Sequence, residues 1–135
     1  MAGVFLGAII VLGVQTLGHA LFPTLEGVDT GHIQNIAASM PGIPIGAMLF
    51  VLLAWFLGAL SGVWLAIASA PFHKKLAGGL VGFIQWLMAL QTLNMLPHPL
   101  WMTVTGLLTA PLATFIVFMW VGNVQDEPDV NEEEI

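Results

Sequence analysis

Four long apolar stretches dominate this chain, and they constrain its fold more than any other feature of the sequence. Each is close to the roughly 20 residues that an α-helix needs to cross the hydrocarbon core of a membrane. They predict four membrane-spanning helices, over residues 2–22, 44–70, 76–96 and 99–122. Prolines mark the ends of these stretches, as expected where helices stop and turns begin: Pro23, Pro41, Pro44, Pro71, Pro97 and Pro99.

The composition agrees with a membrane protein and excludes a soluble domain. Hydrophobic residues make up 58% of the 135 residues and charged residues only 7%, against about 25% charged in a soluble domain. So few charges cannot cover a surface that faces water. We therefore expect an all-α fold in the lipid bilayer, a four-helix bundle over residues 1–124 with a disordered acidic tail at 125–135.

The few charges also predict an orientation. Lys74 and Lys75 are the only basic side chains, beside His73 in the loop between the second and third spans. Basic loops stay on the cytoplasmic side, so we expect this loop and both termini there, in a bacterial inner membrane. No Lys or Arg precedes the first span, so it lacks the basic start of a signal peptide and is expected to stay as a helix.

Two classes of site are excluded by what the sequence lacks. A chain with two basic side chains offers no basic patch for nucleic acid. A chain without cysteine can form neither disulfides nor thiolate metal sites.

Small residues recur four positions apart in three of the spans. This spacing puts them on one helix face, where they let a second backbone approach closely. One alternative is packing inside a single bundle, and the other is self-association or docking on a larger partner. The helix-packing candidates are Ala54, Gly58, Gly62 and Ala66 in the second span, Gly3 and Gly7 in the first, and Gly78 and Gly82 in the third.

Polar side chains inside the spans are few and form a candidate polar path. Its members are Gln15, His19, Gln85, Gln91, Asn94 and Thr109. These groups either tie helices together by hydrogen bonds or line a route for a small solute. No acidic or basic residue lies deep in a span, which counts against an ion-coupled transporter but not against a passive pore.

Pro111 lies inside the fourth span, where it removes a backbone donor and predicts a kink. We expect the hydroxyls of Thr105 and Thr109 to bond the carbonyls that it leaves free.

The loop at 23–43 connects the first two spans. Residues from His32 to Met40 recur at helical spacing and predict a short helix lying at the membrane interface. Asp29 or Thr30 would be its N-cap. This loop and the turn at 97–99 share one membrane face. They would bring together candidate metal ligands: His19, His32, His98, Glu26 and Asp29.

Imidazole and carboxylate bind divalent metals, and His19 with His98 at matching depth would suffice for haem. The spacing, however, contains neither HxH nor HExxH. The alternative is that His19 bonds a neighbouring helix while His98 orders a proline-rich turn. No cofactor is therefore predicted, and haem or a divalent metal stays an alternative.

The segments GHALFP (18–23), Glu26-Gly27 and PHPLW (97–101) carry a resemblance. With them the chain resembles a family of uncharacterised small bacterial four-helix inner-membrane proteins, from the first helix through the fourth but not in the acidic tail. The resemblance implies an inner-membrane protein. It implies no activity, cofactor or site residue.

The sequence favours a protein that is not an enzyme, since it lacks a nucleophile elbow, paired intramembrane carboxylates and a glycine-rich phosphate loop. The leading hypothesis is an accessory or structural subunit of a larger membrane complex, or a homo-oligomer. A passive channel or small-solute transporter is the alternative, and metal or haem binding through the histidines is the second.

Overall fold

A computed structural model describes residues 2–23, 32, 34, 35, 38 and 42–121 of this chain. This part of the chain is all-helical, with four helices and no strand: α1 (Ala2–Leu21), α2 (Ile45–Ser69), α3 (Lys74–Met95) and α4 (Leu100–Val121). All four are long and apolar enough to cross a membrane, which confirms the four expected spans. The interfacial helix expected after Gly31 lies largely outside the described residues, and the acidic tail lies wholly outside them.

Short connections at the helix ends follow from the prolines and from one histidine. Pro44 precedes α2 with φ −59°, and the Pro99 carbonyl accepts hydrogen bonds from Met102 and Thr103 at 3.0 Å as α4 begins. His73 precedes α3 in the left-handed region, with φ 50°. The connections at 70–73 and 96–99 are therefore short, and successive helices run antiparallel.

Glycines let α1 lie directly on α2. A Cβ added at Gly62 would lie 2.6 Å from the Gly3 carbonyl oxygen, and one at Gly7 would lie 2.8 Å from the Gly58 oxygen. Ala54 and Ala66 of the same stripe are also buried. Since α1 of the same chain covers this stripe, packing inside one bundle accounts for it; self-association or docking on a larger partner stays a prediction.

The second helix is the centre of the bundle. It packs against all three other helices, whereas α1 rests on α2 and touches α3 only slightly. Gly78 and Gly82 of α3 are buried, at Ile67 and Thr114 respectively. The bundle is therefore closed around α2, α3 and α4 but leaves space between α1 and α3.

The bundle has a lysine end and a histidine end. The lysine end contains the start of α1, the end of α2, the start of α3 with Lys74 and Lys75, and the end of α4. The histidine end contains the opposite termini, with His19 near the end of α1 and His98 before α4.

Candidate functional site

Two adjoining cavities form one cleft that begins at the histidine end and extends along α1 past the middle of the bundle. The outer cavity has a volume of about 270 Å³ and the inner cavity about 380 Å³. Gln15, Trp55 and Thr92 line both, so the cavities adjoin one another. Ligand pockets commonly measure about 300–1,000 Å³, and the cleft falls in the range of a small-molecule site.

The outer cavity combines aromatic rings, thioethers and two imidazoles. Phe22 and Phe50 form a tilted pair with ring centroids 5.8 Å apart, while Met48 and Met102 are buried. His19 from α1 and His98 from the turn before α4 line the same space. The cavity thus has an apolar body with polar groups at the histidine end of the bundle.

The ring of His98 is oriented by its own turn. Its Nδ1 lies 2.8 Å from the carbonyl oxygen of Leu96. A carbonyl oxygen only accepts, so Nδ1 carries the proton in this bond. In the neutral ring, Nε2 is then a hydrogen-bond acceptor.

The inner cavity reaches the middle of the bundle and opens sideways. Gln85 and Thr109, near the midpoints of α3 and α4, line its deep side. Leu12 of α1 and Met88 of α3 line its other side and are 64% and 51% exposed. Since α1 and α3 scarcely touch, the cleft is open between these two side chains.

The amide of Gln85 occupies a hollow made by glycines. Its Nε2 donates to the Gly58 carbonyl at 3.3 Å. A Cβ at Gly7 or at Gly62 would collide with that same nitrogen. The Oε1 atom is buried and has no hydrogen-bond partner within the described residues. The glycine spacing and the intramembrane glutamine, which looked like separate features of the sequence, therefore form one structure.

Apolar packing closes the cleft toward the lysine end. Val63, Ile67, Val81 and Val117 form a buried cluster there with Ala66. Val63 and Val117 have no exposed surface at all. The cleft is therefore closed at the lysine end. Its polar lining residues lie between the bundle's midpoint and the histidine end.

Four of the six predicted path residues line the cleft, and two do not. Gln15, His19, Gln85 and Thr109 do. Gln91 and Asn94 are exposed and absent from the lining of both cavities. Asn94 instead donates to the Leu90 carbonyl at 2.8 Å.

Thr92 lines both cavities but was missed from the sequence. It follows Gln85 by two helical turns, so the two side chains differ by only about 20° around the axis. Asn94 is about 180° from Gln85 by the same geometry. Helical spacing from Gln85 thus distinguishes Thr92, which lines the cleft, from Asn94, which lies on the opposite side of the helix.

The predicted metal ligands are brought together only in part. His19 and His98 share the outer cavity, while His32 is exposed. Glu26 and Asp29 lie outside the described residues. Among the residues that the structure does describe, no group of three His, Cys, Asp or Glu side chains is placed to hold a metal.

Pro111 is compensated by a tryptophan and not by the expected threonines. In α4 the Leu107 carbonyl would normally accept from residue 111, which as proline has no N–H. The indole Nε1 of Trp86, on α3, donates to this carbonyl at 3.1 Å. Thr109 bonds the Gly106 carbonyl instead, and Thr105 bonds that of Trp101. The prediction that the hydroxyl of Thr105 or Thr109 bonds the carbonyl left free by Pro111 is therefore wrong.

Comparison with known proteins yields no match to a family model, to a curated protein or to a solved structure. The resemblance to small four-helix inner-membrane proteins stays a prediction.

Proposed function

We propose that this is a non-catalytic integral membrane protein that binds a small molecule in the cleft. The observation that carries the proposal is the lining, which combines polar groups from the histidine end to Gln85 and Thr109 with an opening between α1 and α3. Buried polar groups are costly unless they are hydrogen-bonded, and the buried Oε1 atom of Gln85 has no partner within the described residues. A blind pocket with convergent polar groups is the usual form of a ligand site.

The proposed topology places the entrance on the periplasmic side of a bacterial inner membrane. The loop with Lys74 and Lys75 would be cytoplasmic, together with both termini, and the histidine end would face the other way. Passage through a single chain would require the valine cluster at the lysine end to separate. For this reason we favour binding over a permanently open passive pore.

Cysteine reporters test the proposal cleanly, because the chain contains no cysteine. In a Thr109→Cys variant, a charged, membrane-impermeant methanethiosulfonate should react with the thiol from one side of the membrane only. The matched control is Leu108→Cys, one residue away at the same depth but 58% exposed on the outside of the bundle, where lipid should prevent the reaction.

A second control is Val117→Cys, inside the valine cluster, which should stay unreactive. Two outcomes would overturn the proposal. One is equal reaction at positions 108 and 109. The other is no reaction at position 109 together with no reaction of a Thr92→Cys variant near the entrance.

An accessory subunit or homo-oligomer is the second candidate. The sideways opening between Leu12 and Met88 favours it, because a neighbouring membrane helix could cover that opening. Native mass spectrometry of the complex, extracted in mild detergent, should then show foreign subunits or multiples of 14.4 kDa. The same spectrum would show haem or metal retained by His19 and His98 as added mass.

A further inference from the structure

Two imidazoles and two thioethers line the outer cavity, and their four residues lie in one layer of the bundle. His19 lies in the last turn of α1, Met48 in the first turn of α2 and Met102 in the first turn of α4. His98 comes two residues before α4 begins at Leu100. Three helix ends therefore bring these four side chains around one cavity of about 270 Å³.

The ring of His98 already makes the hydrogen bond that is typical of a metal-binding histidine. Its Nδ1 donates to the carbonyl oxygen of Leu96 at 2.8 Å, so Nε2 of the neutral ring is unprotonated and has a lone pair for a metal. A histidine that binds a metal almost always donates its other ring N–H to a carbonyl, carboxylate or water, which fixes the ring and its tautomer. The same segment contributes Met102, four residues further along the chain.

From this set of side chains we infer that the outer cavity binds a monovalent copper ion, Cu(I). Its ligands are two imidazole nitrogens and two thioether sulfurs, those of His19, His98, Met48 and Met102. This inference rests on the proposed function, with the ion as the small ligand of the outer cavity. All four ligands are neutral, so they suit an ion that carries a single positive charge.

The thioethers decide which metal the cavity favours. Imidazole suits zinc, copper, iron and nickel alike, so the two histidines do not choose among these ions. The sulfur of methionine is a soft ligand, and soft ligands select Cu(I). The pair of methionines beside the histidines therefore favours Cu(I) over the divalent ions that imidazole alone would accept.

The position of the four side chains gives the ion a route to the site. His19 is exposed and His98 is half-buried, whereas Met48 and Met102 are only 6% and 2% exposed. An ion that arrives at the histidine end therefore meets imidazole before it reaches the buried thioethers. Methionine also fills irregular apolar cores without binding anything, and the variants below separate that role from coordination.

Copper binding tests the inference directly. The full chain in lipid nanodiscs is titrated with Cu(I) in the absence of oxygen, in competition with the chromogenic Cu(I) chelator bathocuproine disulfonate. Because the chain contains no cysteine, no thiol contributes to the binding. We expect a single copper ion per chain and weaker binding of Zn²⁺, and X-ray absorption at the copper edge should show both sulfur and nitrogen neighbours.

Conservative variants separate coordination from packing. The double variant Met48→Leu/Met102→Leu removes both sulfurs in exchanges that cores usually tolerate, and His98→Phe keeps a flat ring without nitrogen. Loss of a group that only orients a metal ligand costs about 10–100-fold in affinity, so loss of the ligands themselves should weaken Cu(I) binding at least about tenfold. The matched controls are Met95→Leu, an exposed methionine at the same end of the bundle, and His73→Phe at the lysine end. Both should bind Cu(I) as the wild type does.

The outcomes separate this inference from the proposed function. Cu(I) binding no greater than that of empty nanodiscs, or wild-type affinity in either ligand variant, would overturn the copper site. Tighter binding of Zn²⁺ than of Cu(I) would also overturn it, because thioethers would then not set the selectivity. If Thr109→Cys still reacts with the charged reagent in any of these cases, the cleft stays a candidate site for another ligand. An unreactive Thr109→Cys and Thr92→Cys would remove the proposed function itself.

Discussion

The α1–α2 contact near the lysine end and the histidine end of the bundle use glycine in different ways. Toward the lysine end, Gly3 and Gly62 and then Gly7 and Gly58 place backbone against backbone, and the helices touch. Toward the histidine end, glycines face rings instead, with Gly18 at Phe50, Gly46 at Phe22 and Gly106 at Trp55.

This difference explains why α1 lies directly on α2 at these glycines, while the outer cavity lies toward the histidine end. A ring held over a glycine keeps its helix pair one side chain apart, whereas two facing glycines remove that space. The same residue therefore closes a bundle or leaves room in it, according to what its neighbour presents. The predictions below test this contrast, from the largest expected effect to the smallest.

Gly62→Ala should be the most damaging small substitution. The new methyl group would meet the Gly3 carbonyl oxygen at 2.6 Å as well as the Gln85 amide, so α1 must move off α2. We expect a loss of about 3 kcal/mol in the free energy of unfolding, measured by denaturation in mixed micelles.

Gly13→Ala in α1 is the matched control for that substitution. Nothing lies within 4 Å of its added Cβ, and alanine is the better helix former by about 1 kcal/mol. It should leave the stability unchanged or raise it. An equal loss in the two variants would show that α1 does not depend on contact at Gly62.

Removing methyl groups should also affect the two halves differently. Val117 is fully buried in the valine cluster, and Val117→Ala should cost about 2 kcal/mol by leaving a cavity. Val51 already lines the outer cavity, so Val51→Ala removes fewer contacts and should cost less than about 1 kcal/mol. The same denaturation measurement checks both, and a reversed order would contradict the contrast between the halves.

The sequence predicts the closed half better than the open one. Span length and hydropathy depend on the chain's own composition, so the four helices and the buried face of α2 are predictable from spacing alone. The cleft depends on which helices do not contact each other. No local sequence pattern predicts that α1 packs on α2 and scarcely contacts α3.

Hydrogen bonds between helices also cannot be predicted from local sequence patterns. Gln85 is conspicuous as a polar residue within a span, but its glycine hollow comes from two other helices. The Trp86 bond to the Leu107 carbonyl likewise joins residues on different helices. The local pattern around Pro111 indicates only the threonines of its own helix.

That bond at the middle of the bundle can be measured by a double-mutant cycle. Trp86→Phe removes the indole donor to Leu107 and should cost about 1 kcal/mol. Pro111→Ala supplies a backbone N–H for the same carbonyl, so Trp86→Phe should cost clearly less in that background. Trp64→Phe, at an exposed tryptophan, is the control and should be nearly neutral. Equal costs of Trp86→Phe in both backgrounds would refute the compensation.

The smallest effect is expected at His73, and it has the opposite sign. Its backbone has φ 50° and ψ 45° at the start of α3, a conformation in which a side chain costs about 1 kcal/mol and glycine costs nothing. His73→Gly should therefore raise the free energy of unfolding by up to about 1 kcal/mol, less the greater freedom of glycine in the unfolded chain.

The same substitution separates the histidines by role. His73 is tied to a backbone position at the lysine end, whereas His98 lines the outer cavity with its Nδ1 held by Leu96. His73→Gly should leave the reaction of the Thr109→Cys thiol with the charged methanethiosulfonate unchanged. A large loss of this reaction in the His73→Gly background would mean that the two ends of the bundle are coupled, and that the valine cluster does not isolate the cleft from the lysine end.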